Sequence, residues 1–207
     1  EHTRAQEFFK SSCRMLESQV KRAKNEPVKI RALRAFFCAG QANKSKERHE
    51  LPNAKTQYLK ALGYYTDEMI RNGDRECRML YMLLWSELAD CFQQTDELQE
   101  AVSAYTQSLH TGGLLIAEEA DIDLAENVAD DAYNLGKLHW KLNQRAAARD
   151  AFLLQRRYAL KSIEMSGNDE ALRGNRFRLQ FALRWLMTLD DNTDSRQTLA
   201  VYQEAWD

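Results

Sequence analysis

Proline and glycine are scarce, with two prolines and eight glycines in 207 residues. With so few structure breakers and no Pro/Gly/Ser-rich stretch at which domains would part, one continuous body over residues 1–207 is expected. No run reaches the roughly 18 uncharged apolar residues that cross a bilayer. The opening EHTRAQEFFK lacks both the basic start and the apolar stretch of a signal peptide, so no membrane partner and a cytoplasmic location are expected. The chain starts at Glu1 rather than methionine and stays apolar to Trp206, which reads as a piece of a longer protein.

Metal and nucleotide motifs are missing as well. The cysteines, Cys13, Cys38, Cys77 and Cys91, form no close pair, so neither a zinc knuckle nor a redox CxxC is present and reduced thiols are expected. His2, His49, His110 and His139 are dispersed, and His49-Glu50 has no second histidine four residues on. GxxxxGK[ST] and GxGxxG are both absent. The run from Glu118 to Asp131 holds seven carboxylates but lacks the ligand order and glycine of a calcium loop, and reads as a solvated connection leading into a helix start. No cofactor, no metal and no catalytic residue are expected.

What the chain has is helical periodicity. Apolar residues recur at helix spacing almost throughout, and strand-like alternation never persists. Nine helices are expected. The first runs from about Arg4 to Lys24, followed by Val28 to Lys46, Asn53 to Ile70 and Glu76 to Gln93. A fifth opens at Asp96 and Gln99, spaced like a capping box, and breaks at Gly112-Gly113. The sixth covers Leu124 to Leu142, the seventh follows Asn143, the eighth spans Glu170 to Leu189, and the ninth opens at Asp194. Short connections favour antiparallel neighbours.

Within the pairs a pattern repeats. Trp85, Leu88, Ala89 and Phe92 are followed by Ala101, Tyr105 and Leu109, and Ala132, Leu135, Gly136 and His139 by Ala148 and Phe152. Small residues at Ala89, Gly136, Ala101 and Ala148 let two helix backbones approach while large neighbours fill the groove between them. This spacing resembles the tetratricopeptide repeat, W-x2-L-G-x2-Y then A-x3-F, over Met82 to Leu115 and, more loosely, Ala129 to Ser162. Ala61, Tyr65 and Met69 give a half-match. The intervals depart from the family's usual 34 residues, being 40 from Ala61 to Ala101 and 47 from Ala101 to Ala148. HEAT-type or 14-3-3-like helical arrays therefore stay open as alternatives.

The resemblance implies an all-α, right-handed superhelical array of antiparallel helix pairs that binds a partner protein or peptide segment in a groove lined by first helices. On those helices the inner positions are Ser86, Asp90 and Gln93 in one copy and Asp130, Tyr133, Lys137 and Trp140 in the next, which nominates Asp90, Gln93, Asp130, Tyr133, Lys137 and Trp140 as partner-binding. These residues do not reproduce the carboxylate clamp of chaperone adaptors. Charge is uneven: residues 1–60 carry 14 basic and 6 acidic side chains, leaving a balance of −10 for the rest. That polarity allows end-to-end self-association. Arg173, Arg176, Arg178 and Arg184 form a basic set among the aromatics Phe177, Phe181 and Trp185, whose core-like spacing argues against nucleic acid. The competing reading is a helical domain of an enzyme, or a nucleic-acid-binding module, with a diffuse polar site.

Overall fold

A computed structural model describes residues 28–167 and 169–189. The described residues form helices only: α1 (Val28–Glu47), α2 (Leu51–Leu62), α3 (Asp67–Asn72), α4 (Arg75–Gln94), α5 (Leu98–Glu118), α6 (Ile122–Lys141), α7 (Arg145–Met165) and α8 (Asp169–Leu189). The helices expected at residues 4–24 and from Asp194 lie outside the described residues. Every extensive interface joins helices adjacent in the chain or separated by one short step, so pairs stack in chain order: α1 with α2, α4 with α5, α6 with α7, then α8. The chain is an all-α array of antiparallel helix pairs.

Its spacing is stricter than the sequence pattern suggests. First helices begin at 28, 75, 122 and 169, and second helices at 51, 98 and 145, a uniform step of 47 residues. The interval of 47 between Ala101 and Ala148 is thus the true repeat, and the partner of Ala101 in the first pair is Ala54, not Ala61. The half-match at Ala61, Tyr65 and Met69 was accidental.

The turn inside each pair repeats on the same step. His49, Asp96 and Asn143 sit at φ 60, 60 and 57, the left-handed region that His, Asp and Asn tolerate better than most residues. Each is bracketed by the same two hydrogen bonds; for the second pair these are Asp96 N to Gln93 O at 3.2 Å and Glu97 N to Phe92 O at 2.9 Å. Asp96 is therefore a turn residue and not the expected helix cap; α5 starts one residue later, after Glu97, without a side-chain cap.

Two other expectations change. The helix expected over Asn53 to Ile70 breaks into α2 and α3, where the Thr66 hydroxyl accepts from Met69 N to start α3 and Arg31 Nε donates to Tyr64 O at 2.7 Å. Conversely, α5 runs straight through Gly112-Gly113. A Cβ at Gly112 would stand 2.5 Å from Val128 Cγ2 and 2.9 Å from Met82 Sδ, so this glycine permits close approach of α4, α5 and α6 and does not end a helix.

The pair crossing depends on a small residue meeting an aromatic one. Ala42 and Tyr58, Ala89 and Tyr105, and Gly136 and Phe152 occupy matching places, with Tyr58, Tyr105 and Phe152 fully buried. A Cβ at Gly136 would approach the Phe152 ring to 2.6 Å, and that ring is held from behind by Trp185, stacked at 5.0 Å with planes 7° apart. Cys38, Cys77 and Cys91 are buried in this packing as thiols.

Two glycine substitutions should move stability in opposite directions. Gly40→Ala, mid-helix with open space around the new methyl, should stabilise by about 0.5–1 kcal/mol. Gly136→Ala should destabilise by about 1–3 kcal/mol through overpacking against Phe152. Equal shifts of the two denaturation midpoints would refute the crossing.

Candidate functional site

On the 47-residue step, one face of the first helices carries Phe36, Leu83, Asp130 and Phe177 at matching positions. Three of these four are large, apolar and open to solvent: Phe36 67%, Leu83 37% and Phe177 60% exposed. Between α1 and α4, Phe36 and Leu83 border a groove of about 640 Å³ lined by Val28, Ala32, Leu33 and Phe36 on one side and Met79, Leu80 and Leu83 on the other, with Lys29, Asp74 and Glu76 also lining it.

Beyond this groove the face turns polar. The Lys46 amine bridges Glu87 at 2.6 Å and Asp90 at 3.0 Å. Burial pulls the Lys46 pKa down, but the two carboxylates more than offset it and the amine is held above its ordinary value. Tyr58 donates to Asn43 and Tyr105 to Asp90, the same bond one repeat apart. Burial, then the neighbouring carboxylates, push both phenols well above the usual tyrosine range, so they stay protonated and donate to these acceptors. In the third pair Lys137 stands where Asp90 and Asn43 stand earlier, and the aromatic beneath it is Phe152, which has no hydroxyl to donate. Acceptor and donor are lost together. The Lys137 amine instead lies over the Tyr133 ring, 4.4 Å from its centre, and burial followed by Lys141 lowers its pKa.

The six nominated residues share this face but meet different partners. Asp90 is tied to Lys46 and Tyr105. Gln93 buries its side-chain oxygen without a hydrogen-bond partner. Asp130 accepts from Arg178 Nε and Nη2, both at 2.9 Å. Tyr133 packs on Phe181 at 5.6 Å and Phe152 at 6.3 Å, and Trp140 meets Trp185 edge-on at 5.6 Å with Arg145 over its ring. Much of this strip is thus engaged by α8. The open apolar positions of α1 and α4 were missed by sequence reading, because without the 47-residue register Phe36 could not be aligned with Leu83.

The acidic run is largely paired. Arg78 holds Glu118, Arg75 holds Glu119 and Asp121, and Arg178 holds Glu126 as well as Asp130. Asp121 also caps α6 by accepting from Leu124 N at 3.0 Å, and that bond, ahead of the Arg75 pairing, holds its carboxyl below the ordinary range despite burial. Among the described residues no group of three or more His, Cys, Asp or Glu side chains is placed to hold a metal ion, and no helix is long and apolar enough to cross a membrane.

No protein-family model matches the sequence, and no curated protein matches it. Solved structures with a similar helical arrangement include the C-terminal TPR-containing domain of an FK506-binding protein from Plasmodium falciparum, at 13% identity and TM-score 0.48 over 81% of this chain and 98% of that one. BtubC from P. vanneervenii matches at 16% identity and TM-score 0.46 over 95% of this chain and 80% of that one. A de novo designed helical repeat protein matches at 15% identity and TM-score 0.48 over 92% and 94%.

The placement of Trp140 sets an expected outcome. Its contact with Trp185 is only half-buried, so Trp140→Ala should lower stability by about 2 kcal/mol, less than the ~3–5 kcal/mol of a fully buried tryptophan. An unchanged melting temperature would show that the ring contributes nothing to the α6–α8 contact.

Proposed function

We propose that the chain is a protein-interaction module whose apolar groove between α1 and α4 receives an amphipathic helix of a partner protein. The observation that carries this reading is the row Phe36, Leu83 and Phe177: large apolar side chains left open at one repeating position, where a folded chain gains nothing by exposing them. The groove's size and lining suit apolar anchors spaced one helical turn apart. Asp74 and Glu76 at its edge favour a basic residue on the partner, with Lys29 setting where an acidic one is tolerated. Asp90, Gln93, Asp130, Tyr133, Lys137 and Trp140 form the polar continuation of the same face, where Lys137, lacking a carboxylate bond, is the natural hydrogen-bond donor to a partner's backbone or side chain.

Selection from a displayed library of helical peptides should return amphipathic sequences with a basic residue beside the apolar stripe. Phe36→Ser should weaken the selected peptide by at least ~2 kcal/mol, roughly thirtyfold, while leaving stability within about 0.5 kcal/mol because the ring is exposed. Leu153→Ser, at an exposed apolar site on α7, should leave peptide binding unchanged. Equal loss in both variants, or none in Phe36→Ser, would defeat the groove.

A further inference from the structure

The 47-residue step lets the joints between successive pairs be compared position by position. Between the first and second pairs the joint is apolar: Ala39, Ala61 and Leu84 are buried, with Leu84 2% exposed. One step on, between the second and third pairs, the same three places hold Ser86, Ser108 and Asp131. Asp131 is 4% exposed, and its two oxygens accept from Ser86 Oγ and Ser108 Oγ, each at 2.6 Å. One step further the places hold Tyr133, Gln155 and Arg178, where Arg178 is charged but neutralised by Asp130 and Glu126. Of these joint positions, only Asp131 is a charge-bearing group that has no ion pair among the described residues. The charged residues that act most strongly on it, Asp90 from α4 and Asp130 from α6, are both negative, and Ser86 from α4 with Ser108 and the phenol Tyr105 from α5 also face it.

A carboxylate is not needed here to pack the array, because Leu84 does that work at the matching place. Nor does it gain an ion pair. Its placement makes sense if the proton matters: a neutral carboxyl can donate to one serine hydroxyl while accepting from the other, whereas the ionised form must be buried on hydrogen bonds from two hydroxyls alone. We propose that Ser86, Asp131 and Ser108 form a proton-controlled joint between the second and third helix pairs, firm while the carboxyl is neutral and loosened when it ionises. Burial is the dominant influence, and with the repulsion of Asp90 and Asp130 it outweighs the two serine donors and pushes the Asp131 pKa up to about 7. A carboxyl whose pKa is raised on folding stabilises fully below the ordinary carboxylate range, and that contribution is lost as pH rises through about 7. The interval from mildly acidic to neutral pH is therefore the working range. If the face of α4 and α6 binds a partner as proposed above, the joint also sets how firmly Leu83 and Tyr133 are held relative to each other; only this consequence rests on that reading.

The test uses the full chain without any partner, so its failure is separable from failure of the groove. Denaturant unfolding from pH 5 to 8.5 should show the folding constant falling about tenfold per pH unit below 7 and levelling above it, an overall loss approaching a hundredfold. Asp131→Asn should remove that component. A triple variant carrying Ser86→Ala, Asp131→Leu and Ser108→Ala copies the apolar joint, guards against a poorly folding single variant, and should be insensitive to pH over the same range. Infrared difference spectra, wild type minus triple variant, should contain a protonated-carboxyl band at about pH 6, where ordinary carboxyls are ionised, that disappears by about pH 8.5. Parallel pH profiles in the wild type and the triple variant, or an infrared band that does not titrate, would overturn the proposal.

Discussion

Everything in this array depends on how closely two helices of a pair can approach. Helices of 20 or 21 residues offer enough apolar surface to hold a pair together only if their backbones come near enough for one ring to fill the space between them. Ala42 with Tyr58, Ala89 with Tyr105 and Gly136 with Phe152 are three solutions to that requirement, and the largest loss of side chain, at Gly136, falls where a second aromatic, Trp185, closes in behind the ring. The left-handed residues His49, Asp96 and Asn143 then return the chain at the same place each time, which keeps small and large residues in register.

Once the pairs are built alike, differences between them carry the chemistry. Tyr58 and Tyr105 donate to acceptors on their own first helices, while the third pair drops both hydroxyl and acceptor and turns a lysine toward the open face. The joints differ in the same manner: apolar between the first two pairs, a lone carboxyl between the next, and an arginine of α8 clasped by two acids of α6. Exposed apolar side chains recur along the first helices at Phe36, Leu83 and Phe177, interrupted by Asp130, and Phe36 and Leu83 border the groove between α1 and α4.

Much of this was legible in the sequence because helices announce themselves by period and their ends by punctuation. Trp85, Leu88, Ala89 and Phe92 stood out, and so did the echo in Ala132, Leu135, Gly136 and His139. The first copy did not: its counterparts Cys38, Gln41, Ala42 and Ser45 carry no aromatic, and Ala61, Tyr65 and Met69 imitate the second-helix spacing seven residues after the true position Ala54. Gly112-Gly113 reads as a stop when only local propensity is weighed, but tertiary packing decides otherwise. Asp131 was submerged in a run of seven acids; aligning it with Leu84 on the 47-residue step is the signal that would have separated it from its solvated neighbours. The nominated strip was placed on the correct face, but its engagement by Phe181 and Trp185 could not be read from one repeat in isolation, since those partners come from the next.

The central claim is that coupling runs only between neighbours in the stack, as a one-dimensional array requires. Native-state hydrogen exchange tests it directly when the crossing of the third pair is weakened by Gly136→Ala. Amides of α6 and α7 should lose protection first and most, α5 and α8 less, and α1 and α2 should keep theirs close to the wild-type level. Equal loss of protection across all helices would mean that the pairs form one closed cooperative body, and the account given for this chain would be wrong.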